Sequence, residues 1–86
     1  MPRISSFYGI VIAMYHQEHG VPHFHAYYGE FEASIAIDST ELLAGVLPTR
    51  VLRLIKKWAA LHTDELLENW NRAQQEKVLE NIDPLP

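Results

Sequence analysis

Three of the chain's five histidines fall within seven residues, His19-Gly-Val-Pro-His-Phe-His25. Imidazole titrates near neutrality and also ligates transition metals, so acid-base and metal chemistry are both open to this run. His23 and His25 are two apart, and on a strand that spacing sends both rings to one face, away from Phe24. Two imidazoles so placed, with a third donor from His19 or Glu32, suit zinc with an open fourth position. Nickel and copper also accept imidazole, and the residue types do not choose among them. The metal-free alternative uses His23 and His25 as base and acid in phosphodiester transfer, as in small ribonucleases. Glu32 or Tyr27 would then fix one ring's tautomer. Arg50, Arg53 and Lys57, at helical i, i+3, i+7 spacing, would receive phosphate from RNA.

Plainer roles stand beside these. A half-exposed antiparallel sheet ordinarily turns His, Tyr, Glu and Ser towards water. Such a face also suits a polar-aromatic protein interface. Arg50, Arg53 and Lys57 read equally as a solvated helix face. His62, at the end of a helix, is explained by favourable capping or packing. No glycine-rich phosphate loop, nucleophile elbow or paired-carboxylate motif is present in the sequence.

The elements that must position these residues follow from local patterning. "HFHAYY-GE-FEASIAI" is two alternating runs joined by Gly29-Glu30, a pair suited to a two-residue type II′ hairpin. That turn sets Tyr28 opposite Phe31, Ala26 opposite Ala33 and Phe24 opposite Ile35 on an apolar face. Tyr27 with Glu32, His25 with Ser34 and His23 with Ala36 then share the polar face. A one-residue slip would destroy this agreement on both strands. His19 precedes Val21-Pro22, where the chain turns, and can swing towards the same side. His16 belongs to the Met14 face of the preceding strand.

Residues 10–16 are apolar on both faces and read as a covered strand, with an edge strand near Ile4 to Tyr8 before it. "TELLAGVLP" reads as a short further strand or turn. Val51, Leu54, Ile55, Trp58 and Leu61 then form a helical stripe. Thr63 is an expected N-cap for a second helix with Asp64 and Glu65 in its first turn. Its buried side holds Leu66, Leu67, Trp70 and Ala73 and continues towards Val78. The expected fold is α+β: a small antiparallel meander of about four strands within 3–47, with helices at about 49–62 and 63–80 packed on one face.

Composition bounds the rest. The 86 residues make a single domain, 1–86, burying roughly 60% of its unfolded surface. With 48% hydrophobic and 21% charged residues the chain is globular, and the absence of cysteine excludes disulfides, zinc thiolates and thiol nucleophiles. A net charge of −4 opposes bulk nucleic-acid affinity. Apolar runs fall far short of the ~18 residues that span a bilayer, so no membrane partner is expected. The start "MPRISSFYG" lacks a signal-peptide pattern, so a cytoplasmic location is expected.

Four segments carry a resemblance. "MPRISSFYGIVIAMY", "EHGVPHFHAYYGEFEASIAID", "LAGVLPTRVLRLIKKWAALHTDELLENW" and the I-x-PL ending resemble small prokaryotic proteins grouped as domain-of-unknown-function family 4160, over nearly the whole chain. The resemblance implies a stand-alone small protein encoded beside a partner of family 2442, in what has been proposed as a toxin-antitoxin pair. The motif residues it brings forward are His19, His23, His25 and His62, with no transferable catalytic mechanism. Gly20 and Val21 stand before Pro22 where asparagine or proline would be the commoner choice.

The leading expectation is therefore a small interaction or regulatory module of a two-gene system, acting through the His23/His25/Tyr27/Glu32 face. Its alternative is a ribonuclease-type toxin, and a zinc-binding regulatory domain comes third. A homodimer through an exposed strand edge is compatible with all three.

Overall fold

The computed structural model describes residues 2–86. Five strands, β1 (Arg3–Phe7), β2 (Ile10–Ala13), β3 (His23–Tyr28), β4 (Phe31–Ala36) and β5 (Leu42–Val46), precede α1 (Thr49–Leu61) and α2 (Thr63–Gln74). The sheet is an antiparallel meander in sequence order. It has five strands rather than about four, because "LLAGV" pairs with β4 as a full strand.

The β3–β4 hairpin has the expected register at all six pairs, from His23 opposite Ala36 to Tyr28 opposite Phe31. Gly29 takes a φ of 57° while Glu30 stays out of the left-handed region, the sign pattern of a type II′ turn. At the β1–β2 turn Tyr8 and Gly9 both have positive φ, matching type I′.

The apolar face carries the core. Ile10, Ile12, Phe24, Ala26, Ala33 and Ile35 are buried there with Val51, Ile55, Trp58, Leu66 and Ala73 of the helices. Trp58 is fully buried, with its ring 5.3 Å from that of Phe7 and 5.8 Å from that of Phe24. Leu61, expected on the same stripe, is instead exposed at the last turn of α1.

Two helix boundaries differ from the sequence expectation. Thr63 does not cap α2 with its side chain. Its hydroxyl donates to the Ala59 carbonyl of the preceding helix, and His62 occupies the N-cap position, its Nδ1 against Glu65. α2 ends at Gln74, not near residue 80, and Val78 is exposed. Glu76 takes a φ of 56°, the Lys77 N–H donates to Arg72 O, and the Glu76 N–H donates to Ala73 O. That pair of bonds is a Schellman stop, built on glutamate where glycine is usual.

Beyond α2 the chain has no regular structure but packs closely. Ile82 and Leu85 are buried. The buried Asn69 holds Glu80 by both its backbone groups, at 2.8 and 2.9 Å. Ile82 N–H donates to Ile4 O on β1, and the Trp58 indole N–H donates to Asp83 O at 2.8 Å. The outer edge of β1 is thus partly covered, whereas β5 is exposed at all five positions. No helix among the described residues is long and apolar enough to cross a membrane.

Candidate functional site

β3 delivers His23 and His25 to one face, their ring centroids 5.2 Å apart. The β2–β3 connection then folds back over them and brings Glu18. Its Oε1 lies 2.6 Å from His25 Nε2 and 3.5 Å from His23 Nε2. The connection is fixed from outside: Gln17 N–H donates to Ala73 O, and the Gln74 amide donates to Glu18 O. The C-terminal end of α2 therefore sets where Glu18 stands.

Each imidazole is also held on its outer side. His23 Nδ1 lies 2.8 Å from the Val21 carbonyl. A carbonyl only accepts, so Nδ1 carries the proton and neutral His23 turns an unprotonated Nε2 towards Glu18. His25 Nδ1 faces Ser34 Oγ at a longer 3.4 Å. Trp70 of α2 packs over the buried His23 ring at 5.1 Å, and Tyr15 meets the His25 ring edge-on at 5.0 Å. Glu18, His23 and His25 offer ligand atoms all within 4.8 Å of one another, close enough to bind a metal.

The other expected members are distributed differently. His19, expected as the third metal donor, is exposed and outside this group, whereas its neighbour Glu18 lies beside the two imidazoles. The loop turns the residue before the glycine outward and the one before that inward. Glu32 stands opposite Tyr27 as expected, but it is exposed and makes no hydrogen bond with either ring among the described residues. His16 is exposed and bonds Lys77 O. His62 packs against Trp58 at 5.6 Å beside Glu65, and its side chain makes no capping bond to α2. Arg50, Arg53 and Lys57 lie exposed on α1, with no ion pair among the described residues.

Glu18 and Tyr15 are the members that sequence reasoning missed. Tyr15 shares the parity of Val11 and Ala13, the β2 residues opposite Tyr27 and His25, which is a signal of its face. Glu18 carried no comparable signal, because its position depends on contacts with α2 some 56 residues away.

The hydroxyls of Tyr15 and Tyr27 share a hydrogen bond of 2.6 Å. The Tyr27 phenol is pushed up from 10.0 to about 12, first by burial, then by the Tyr15 hydrogen bond and charge, with Glu32 and Glu18 adding to it. It stays protonated through neutral pH and is no base there. A raised phenol favours the folded state while it is neutral. Its contribution is full below pH 10.0 and is lost as pH rises through about 12. Ultraviolet titration should show one of the four tyrosines ionising last, and Tyr27→Phe should remove that step. A wild-type chain whose tyrosines all ionise together near the ordinary value would contradict this environment.

A shallow groove of about 250 Å³ borders the cluster on the β4–β5 side, lined by His25, Glu32, Ala33, Ser34, Ala44 and Gly45. Fold and site together define a small α+β protein whose sheet meander carries a buried-to-half-buried Glu-His-His cluster beside an open edge strand. The chain belongs to the family described as Domain of unknown function (DUF4160), whose model matches residues 9–71, from the first turn through most of α2. Neither the curated proteins nor the solved structures compared with it include a match.

Proposed function

We propose that this chain is an interaction module of a two-gene system, working in the cytoplasm with a small protein partner of the family 2442 kind, and that β5 is its docking edge. The observation that supports this reading is the state of that edge. β5 is exposed throughout, presents Leu42, Leu43 and Val46, and carries no charged side chain. Edge strands are ordinarily guarded by charge, proline, a bulge or a covering segment. β5 has a bulge in its pairing with β4 but none of the other three, and such an apolar edge suits strand addition by a partner. The opposite edge, β1, has such a covering segment in the tail at Ile82. The regulatory part of the reading would be zinc at the Glu18–His23–His25 group, which has an imidazole and carboxylate donor set.

The ribonuclease reading draws less support. Both imidazoles face one carboxylate rather than flanking a space for a phosphodiester, and the Tyr27 hydroxyl bonds that of Tyr15 rather than either ring. Co-expression with the neighbouring gene's product should yield a complex in which residues 42–46 gain protection from amide exchange. Self-association protecting the same residues would replace the partner by a second copy. A complex that leaves β5 exchanging as in the free chain would end the docking reading.

A further inference from the structure

We infer that Glu18 Oε1, His23 Nε2 and His25 Nε2 form a binding site for one divalent first-row transition-metal ion, with at least one coordination position left to solvent or an added ligand. The inference deepens the zinc part of the reading above, on which it rests, and is independent of docking at β5.

The central observation is an acceptor facing an acceptor. With Nδ1–H given to Val21 O, neutral His23 presents a lone pair to Glu18 Oε1 at 3.5 Å. Two electron-rich atoms held at that range repel unless a positive charge sits with them. A metal ion supplies that charge and uses both lone pairs. A proton on His23 Nε2 is the competing occupant.

The outer contacts favour the metal. Metal-bound histidines almost always give their other ring N–H to a carbonyl, carboxylate or water, which fixes tautomer and orientation. His23 already does this with Val21 O. His25 has its Nδ1 near Ser34 Oγ at 3.4 Å, so moving its proton from Nε2 to Nδ1 frees Nε2 and keeps a partner. The hydrogen bond between His25 Nε2 and Glu18 is then replaced by two bonds to one ion, with no net change in ring charge.

The spacing fits as well. Donors around a four-coordinate zinc stand about 3.3 Å apart, given bonds of ~2.0–2.1 Å at tetrahedral angles. Glu18 Oε1 lies 2.6 and 3.5 Å from the two nitrogens, on either side of that value. The two ring nitrogens lie within 4.8 Å of each other, so closing on one ion draws in the rings as well as the carboxylate. Trp70 and Tyr15 shield the rings, so the ion would sit where water competes less. Two imidazoles and one carboxylate match zinc, cobalt, nickel or copper, whereas magnesium and calcium prefer oxygen-only shells.

The experiment adds zinc alone to the chelator-treated full-length chain, following the imidazole nitrogens by NMR and the heat by calorimetry. One equivalent should bind with micromolar affinity or tighter, shifting Nε2 of His23 and His25 together while His16, His19 and His62 stay in place. Magnesium should do nothing, and cobalt should give the visible absorption of a low-coordinate site. Glu18→Gln should weaken zinc by about tenfold or more, whereas His19→Ala should leave it unchanged. Equal response of all five rings, loss of binding in His19→Ala, or a His23 Nε2 proton that zinc does not displace would each overturn the site. The wild-type spectra decide the matter even where a variant fails to fold. Protection of β5 by a partner is read separately, so failure of either proposal leaves the other standing.

Discussion

Trp58→Ala should cost the chain a large share of its stability. Removing a fully buried indole costs about 3–5 kcal/mol, and a domain of this length holds only about 4–13 kcal/mol in all. Trp58 packs against Phe7 and Phe24 and also bonds Asp83 O, so its loss opens the sheet-helix contact and removes one of the bonds that hold the tail. At ~4–8 °C per kcal/mol, melting should fall by roughly 12–40 °C. Trp58→Phe keeps a ring in place, loses the tail bond, and should lose clearly less. A Trp58→Ala melting point within ~5 °C of wild type would show that α1 does not anchor the fold in this way.

Gly45→Ala should have the second largest effect, confined to one edge. Gly45 takes a φ of 85°, and a Cβ built there would lie 2.2 Å from the Glu32 carbonyl oxygen and 2.7 Å from Ala33 Cα. Both neighbours are backbone of the paired strand, so neither can swing aside. Left-handed strain of about 1–3 kcal/mol and overpacking of similar size act together, for a total of ~2–6 kcal/mol. The exposed strand can escape by leaving the sheet. Amide exchange should therefore accelerate across residues 42–46 while the fluorescence of buried Trp58 stays native. Gly20→Ala is the matched control: its φ is 96°, but nothing lies within 4 Å of the added carbon. If Gly45→Ala exchanges no faster than Gly20→Ala at β5, close approach to β4 is not what requires glycine there.

What could be read from the sequence was what repeats locally. The β3–β4 register rested on a glycine turn and on alternation in both strands, two signals that had to agree, and every pair is as expected. Trp58 and Trp70 lie at core positions for the same reason of spacing. β5 was harder, because "LLAGV" is exposed on both faces and a bulge interrupts its register between Ser34 and Ile35. No burial pattern marks such a strand, and backbone pairing alone holds it. The end of α2 was missed because its stop uses Glu76 in a conformation glycine usually takes.

The site divides along the same line. His23 and His25 were placed by strand parity, with Tyr27 and Ser34 on their face. The choice between His19 and Glu18 depended on how a nine-residue stretch, 14–22, curls. That curl is set by Ala73 and Gln74, which lie far along the chain. Neighbouring residues in a turn point to opposite sides, so Glu18 faces the two imidazoles while His19 lies exposed.

The closing tail bears on how the protein is made. Residues 77–86 reach the fold after everything they cover. Until they arrive, Trp58 lacks the carbonyl it donates to, and Ile82 and Leu85 are absent from the core. The sheet then has two open borders rather than one, since β1 is bonded by the tail and β5 is not covered at all. A growing chain in that state is at its most adhesive, able to pair with other nascent copies along either border.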